Sequence, residues 1–296
     1  MKLEYIVNEQ TKHTNIRQVL KSEFHMSDRL ILKLKQASQI YLNGKVASVH
    51  DLIHTQDKIT ADIAFEEYCE NIIPTKIDLD ILYEDEGLLV VSKVPNTPVH
   101  PSLNHFEDSL SNGVKYYFDS IGLKRKIRPV NRLDKDTSGI VIFAKNEYIQ
   151  ECLIKQMKTN TFEKEYLALV DGVIANPLDT IIAPIARKNT SIIERCVSED
   201  GDYAETIIEL LQTYSDYSLV KCTLKTGRTH QIRVHTKHIG HPILGDTLYG
   251  TSSNLISRQA LHAYKVKFIH PISKEKIEIV SKLPLDMITL IDNTNI

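Results

Sequence analysis

The apolar run Ile140-Val141-Ile142-Phe143-Ala144 constrains this chain more than any other segment. It is short, β-branched and aromatic, and Lys145-Asn146 closes it, so it reads as a buried strand. Residues Ile127 to Val130 are a candidate partner strand. Between the two lies Asn131-Arg132-Leu133-Asp134-Lys135-Asp136-Thr137-Ser138-Gly139, a turn-forming stretch that sets a carboxylate two residues after an arginine. A rigid sheet delivers its reactive groups on such loops, which makes Asp134 a candidate for chemistry. The plainer alternative is an aspartate that only caps a turn. These residues alone leave both readings open.

A second segment bears on that choice. Leu224-Lys225-Thr226-Gly227-Arg228-Thr229-His230-Gln231-Ile232-Arg233-Val234-His235 continues through Gly240-His241-Pro242-Ile243-Leu244-Gly245-Asp246. Lys164-Glu165-Tyr166 lies between the two segments. In this order the three motifs resemble those of the RluA-type RNA pseudouridine synthases, the ribosomal large-subunit enzymes that modify uridines in structured RNA. The family pattern runs His-Arg-Leu-Asp-x-x-Thr-Ser-Gly, then Lys-x-Tyr, then Gly-Arg-Thr-His-Gln-Ile-Arg. Asn131 stands where that pattern has His, a departure that bears on how the loop is positioned.

The resemblance assigns roles. Asp134 becomes the catalytic carboxylate, Arg233 the arginine that pairs with it, and Tyr166 the aromatic that packs on the target base. Arg132 becomes the side chain that fills the space an everted uridine leaves, and Arg228 and His230 lie beside the RNA groove. The chemistry fits such a set. Pseudouridine forms when uracil leaves the ribose C1′, rotates and reattaches through C5, so nothing is oxidised and no group donor is consumed. No cofactor is expected, and the chain carries neither a dinucleotide fingerprint nor a P-loop. A carboxylate that must stay charged in a desolvated pocket needs a cation beside it, and a guanidinium also fixes its direction. In an extended segment Arg132 and Asp134 point the same way.

Composition sets the class. The chain has 296 residues with 25% charged and 42% hydrophobic residues, enough for one large domain and a small one. The start is charged and no apolar stretch spans a bilayer, so a cytoplasmic protein without a membrane partner is expected. The four cysteines, Cys69, Cys152, Cys196 and Cys222, form no C-x-x-C pair, which argues against a disulfide framework or a cysteine zinc site. His235, His238 and His241 have suggestive spacing, but no Cys, Asp or Glu joins them and no metal is expected. Net charge is −2, so an RNA partner requires clustered cations. Lys124-Arg125-Lys126-Ile127-Arg128 is one cluster, and Lys221, Lys225, Arg228, Arg233 and Lys237 are another. Both are expected to face an RNA groove.

The chain divides into residues 1–65, a linker at 66–80 and a catalytic domain at 81–296. In the first unit Ile16, Val19 and Leu20 have helical spacing, Ser27 caps a second helix through Leu30, Ile31 and Leu34, and Asn43-Gly44 turns a hairpin. That order resembles the alpha-L RNA-binding module. Beyond it, Leu82 to Lys93 predicts a strand–turn–strand, and the prolines of Val94 to Pro101 an extended loop. Helices are predicted over Leu110–Tyr117, Tyr148–Met157 and Ile232–Ile239, the last ended by Gly240, and strands over Tyr166–Val170, Thr206–Leu210 and Leu219–Leu224. The expected fold is α+β, a mixed, mainly antiparallel sheet with flanking helices and an active-site cleft. A monomer acting on ribosomal RNA, or on transfer RNA, is what the resemblance implies. The rival is a non-catalytic RNA-binding or ribosome-assembly factor on the same fold.

Overall fold

The computed structural model describes residues 1–69 and 71–292, so the last residues of the expected 81–296 unit lie outside the described residues, as does Glu70 of the expected linker. Strand β1 (Lys2–Ile6) opens the chain, followed by helices α1 (Ile16–Ser22) and α2 (Asp28–Gln36). The Ser27 side chain accepts the amide of Leu30, the N-cap its position predicts. The hairpin β2 (Ile40–Leu42) and β3 (Lys45–Val46) turns through Asn43 and Gly44, both at positive φ, and β4 (Lys58–Asp62) joins β1 and β2. Strand β1 went unanticipated.

The larger unit begins with the hairpin β5 (Asp80–Glu84) and β6 (Leu88–Lys93), then α3 (Leu110–Ser120), β7 (Ser138–Ala144), α4 (Glu147–Lys158) and β8 (Glu163–Asp171). It continues through β9 (Leu178–Ile182), β10 (Ile185–Arg187), β11 (Arg195–Val197), β12 (Glu205–Thr213) and β13 (Tyr217–Leu224). Helix α5 (Gln231–His238), strands β14 (Leu261–Ile269) and β15 (Lys276–Val280) and helix α6 (Leu285–Asp292) complete it. Among the described residues a nine-stranded sheet runs β5-β6-β7-β14-β8-β13-β12-β9, with β15 also on β14. Every pairing is antiparallel except β7 with β14. This is the expected α+β architecture.

Strand β7 is buried throughout, and apolar from Ile140 to Ala144, because both its faces are covered. Ile140, Ile142 and Ala144 join a core shared with α4 and the N-terminal unit, while Val141 and Phe143 pack with Val114 and Phe118 of α3. Its parallel contact with β14 is brief, Ser138 opposite His262 and Gly139 opposite Ala263, after which β15 takes over beside β14. The sheet forks there, and the Asn131–Thr137 loop emerges at the fork. Gly139 makes the approach possible: its φ is +106°, and a Cβ would lie 2.2 Å from the Ala263 carbonyl oxygen.

The expected partner strand over Ile127–Val130 is realised only as a fragment. The Val130 amide bonds the Ile142 carbonyl at 2.7 Å and Ala144 the Arg128 carbonyl at 2.9 Å, but Pro129 has no N–H to offer. Asn131 then completes the ladder with its side chain. Its Nδ2 donates to the Ile140 carbonyl and its Oδ1 accepts the Ile142 amide, each at 2.9 Å. An amide side chain thus does the work of a further strand residue at the loop's entrance.

One expectation about the surface needs correction. The cluster at 124–128 does not line the cleft. The Arg125 guanidinium donates to the carbonyls of Ala64 and Phe65, and Arg128 is buried in an ion pair with Glu67 at 2.6 Å. The segment at 66–80 packs on α3: the Ile73 carbonyl accepts from Asn112, the Thr75 amide donates to the Asn112 carbonyl, and Ile77 and Leu79 lie against Gly113. The N-terminal unit in turn docks on α4, where Glu147 receives Lys33 and Arg29, and Glu151 accepts from Ser27.

Candidate active site

The loop that carries Asp134 is held from behind by three side chains. The Lys93 amine donates to the Lys135 carbonyl at 2.7 Å and to the Val94 carbonyl at 3.0 Å. Arg258 donates to the Asp136 carbonyl at 3.1 Å, and Gln259 to the Thr137 hydroxyl at 3.3 Å. Within the loop the Thr137 amide closes a turn on the Asp134 carbonyl, and Ser138 bonds the buried His262 at 2.9 Å. Burial pushes the Lys93 amine down to about 7 despite the pull of Asp136 and Asp134. A buried amine at that position fixes the loop more tightly than a hydrated one, since it has given up its water for two carbonyls.

Arg233 meets this loop from the first turns of α5. Its Nη1 donates to Asp134 Oδ2 at 2.8 Å. Its Nε and Nη2 form a fork on the wholly buried Asp246, at 2.6 and 2.9 Å. Burial opposes the guanidinium's charge, but Asp246 and then Asp134 outweigh it and hold its pKa above the ordinary arginine value. The Asp246 Oδ1 also accepts the amides of Leu248 and Tyr249, so the anchor is itself fixed. Gly245 makes this turn possible: its φ is +74°, and a Cβ would lie 2.3 Å from the Arg258 carbonyl oxygen. The Tyr249 ring lies under the guanidinium, 4.9 Å from centroid to carbon.

His230 precedes α5 in a left-handed conformation, φ 58°. Its Nδ1 pairs with the Tyr249 hydroxyl at 2.7 Å, and that hydroxyl accepts the Arg195 amide at 2.8 Å. Its Nε2 stands 3.7 Å from Asp134 Oδ1. Burial pushes the imidazole pKa down, against the pull of Asp134. The structure therefore places His230 beside the carboxylate. Arg228 stays on the rim, donating to the Tyr203 carbonyl at 2.9 Å and facing Asp202 at 3.6 Å. Gln231 holds the segment between them, accepting from Thr226 and the Arg228 amide and donating to the Glu205 carbonyl and Thr206.

Tyr166 comes from β8, buried and facing the same recess as Asp134 and Arg132. Its hydroxyl has no hydrogen-bond partner among the described residues, and burial followed by the Asp134 charge raises its pKa. Arg132 is exposed, unpaired among the described residues, and lines the same recess. The six residues named from the sequence therefore surround one site. It opens into a cleft of about 930 Å³, whose farther wall includes Ile154, Met157 and Lys158 of α4. Lys225 and Lys164 line it as well.

Sequence reading missed Asp246, Tyr249 and Lys93. Asp246 closes the second motif, but nothing in its spacing says that it grips Arg233. In the histidine series, His235 spends both ring nitrogens on Thr206 and the Ala183 carbonyl, and His241 bonds the Asp171 carbonyl. Among the described residues no group of three or more His, Cys, Asp or Glu side chains is placed to hold a metal ion. Among them, too, no helix is long and apolar enough to cross a membrane.

A carboxylate gripped by a guanidinium, at the foot of a cleft lined with cations, defines an enzyme site suited to a polyanionic substrate. The RNA pseudouridylate synthase family model matches residues 87–238. The uncharacterized RNA pseudouridine synthase YjbO of Bacillus subtilis (strain 168) is 38% identical over 274 residues, 92% of this chain and 97% of the relative. The ribosomal large subunit pseudouridine synthase D of Zymomonas mobilis is 36% identical over 83% of this chain and 82% of the relative. The solved structure of human RNA pseudouridylate synthase domain containing 1 superposes with a TM-score of 0.61 at 27% identity, covering 73% of this chain and 87% of that one. The chain belongs to the RNA pseudouridylate synthase family. It is an RNA pseudouridine synthase, an enzyme that isomerises uridine within RNA.

Proposed function

We propose that Asp134 is the carboxylate that drives this isomerisation, and that its substrate is ribosomal RNA in the cytoplasm, with transfer RNA as the alternative. The observation that carries the first part is the 2.8 Å bond from Arg233 to Asp134, backed by the fork on Asp246. The second part rests on relatives named for the ribosomal large subunit. In the reaction the N1–C1′ bond of uridine breaks, a C5–C1′ bond forms, and the C5 proton is exchanged for one on N1. A carboxylate held in one direction by Arg233 is placed to act at the sugar or the ring. His230 adds a nearly neutral neighbour, so Arg233 supplies most of the balancing charge.

The uridine must leave the RNA stack, at a cost of roughly a few kcal/mol. Arg132 occupies the position it vacates, and Tyr166 packs on the everted base with its free hydroxyl toward the reaction. Arg228 and Lys225 meet phosphates at the rim. No cofactor takes part, because the atoms and electrons balance within the nucleotide. Residues 1–65 act as an accessory RNA-binding module of a monomer, and 66–80 connect them to the catalytic unit. Most of the module's cations are engaged, Arg17 and Lys21 with Asp28, Lys58 with Glu4, and Arg29 and Lys33 with Glu147, so RNA contact falls to the exposed Lys2, Lys12, Lys35 and Lys45.

Tritium release from RNA carrying 5-tritiated uridine tests the assignment. Wild type should release label from a large-subunit ribosomal RNA transcript and Asp134→Asn should not. Release by Asp134→Asn at a rate near wild type would rule out the carboxylate's role, and no release by wild type would favour the non-catalytic RNA-binding factor.

A further inference from the structure

Strand β8 presents two different faces. Glu163 and Glu165 point to one side, where they approach Lys267 at 3.8 Å and Lys265 at 3.5 Å. Phe162, Lys164 and Tyr166 line the cleft on the other side. Lys164 therefore stands one strand repeat, roughly 7 Å, farther along the cleft wall than Tyr166. The lysines on the neighbouring strands are all paired: Lys265 and Lys267 with glutamates, and Lys221 with Glu209 at 2.6 Å. Lys164 has no ion pair and no hydrogen bond among the described residues, although it is partly buried.

The opposite rim leaves this amine accessible. Gly227 faces it, and a Cβ there would come within 3.2 Å of the Lys164 Nζ. A side chain at 227 would crowd the amine, and the bare backbone leaves a passage in the cleft between β8 and the Thr226–Arg228 turn. A compact ammonium with three donors and no acceptor in reach is complementary to a phosphate oxygen. Burial lowers its pKa with no nearby carboxylate to offset the loss, a deficit that an anion would make good.

We propose that Lys164 and the Gly227 passage form a phosphodiester site, which takes the RNA backbone next to the everted uridine while Tyr166 takes the base. The inference rests on the reading of this cleft as the RNA site. Its role is to set the register of the strand against the Asp134 loop, and Lys164 is a binding residue with no part in bond making.

Filter binding of a large-subunit ribosomal RNA transcript to the full chain, over a range of salt, tests it. Lys164→Met should weaken binding about tenfold and make the slope of log K against log salt shallower by about 0.7 to 0.9, the signature of one lost phosphate contact. Lys164→Arg should restore both, and Lys126→Met, exposed and outside the cleft, should change neither. In single-turnover tritium release, Lys164→Met should raise the half-saturating enzyme concentration while keeping the maximal rate within about threefold. Unchanged affinity and slope in both Lys164→Met and Lys164→Gln would overturn the proposal. So would a fall in maximal rate at unchanged half-saturation, which assigns Lys164 to the chemistry instead. Because the binding readout does not need turnover, it is decided separately from the Asp134→Asn result.

Discussion

Replacing Asp246 by Asn perturbs the site without touching the substrate. The carboxylate now accepts four hydrogens: two from Arg233, at 2.6 and 2.9 Å, and the amides of Leu248 and Tyr249. An asparagine oriented to keep the two amides must turn its own NH2 toward Arg233 Nε, donor against donor at 2.6 Å. The guanidinium then has to move, and the bond to Asp134 moves with it. Asp246 is wholly buried, and breaking a buried pair costs about 3 kcal/mol or more. A shift of about 1 Å in a positioning group costs about 100-fold in rate. Asp246→Asn should therefore lower the single-turnover rate by about 100-fold, with RNA affinity changed less than threefold. Its urea midpoint, followed by circular dichroism because the chain has no tryptophan, should fall with it. A variant that keeps a rate within threefold of wild type would refute the claim that Arg233 is set by Asp246.

Three other substitutions test the supports. His262 is buried, and burial lowers it from 6.5 to about 4 in the folded state, so the unfolded chain binds the extra proton between those values. Stability should be complete above pH 6.5 and decline by about 3 kcal/mol as pH falls to 4, and His262→Asn should flatten that decline in urea titrations at pH 7 and 5. Gly139→Ala should cost about 3 kcal/mol or more by urea denaturation, because the new Cβ meets the Ala263 carbonyl and φ stays positive; a loss below 1 kcal/mol would contradict the fork geometry. Asn131→Ala removes two bonds to β7 and should cost about 1–3 kcal/mol, with a smaller loss of rate than Asp134→Asn; equal losses of rate would give Asn131 a direct role.

Local signals were readable where local physics decides. Ser27 caps α2, Asn43-Gly44 turns its hairpin, and Gly240 follows the last helical residues of α5 at φ 85°. The apolar run of β7 announced a strand covered on both faces. The six candidate site residues converge because each sits on, or in a short loop next to, an element whose pattern is strong: Tyr166 on β8, Arg233 on α5, Arg132 and Asp134 just before β7, and Arg228 and His230 between β13 and α5. What the sequence withheld depends on distant partners. Lys124 to Arg128 resembles any basic patch until Ala64, Phe65 and Glu67 arrive to occupy its arginines. Asp246 looks like a turn residue until α5 brings Arg233 over it. Lys93 has the composition of a surface lysine, yet the carbonyls of Val94 and Lys135 hold it inside. The pairing of β14 with three strands joins residues far apart in the chain, and no window of sequence contains it.

The most direct measurement maps pseudouridines by carbodiimide modification and primer extension on large-subunit ribosomal RNA transcript incubated with wild type or Asp134→Asn. Stops at defined uridines with wild type, absent with Asp134→Asn, are the predicted result. Identical stops with both proteins would contradict the assignment of the reaction to that carboxylate.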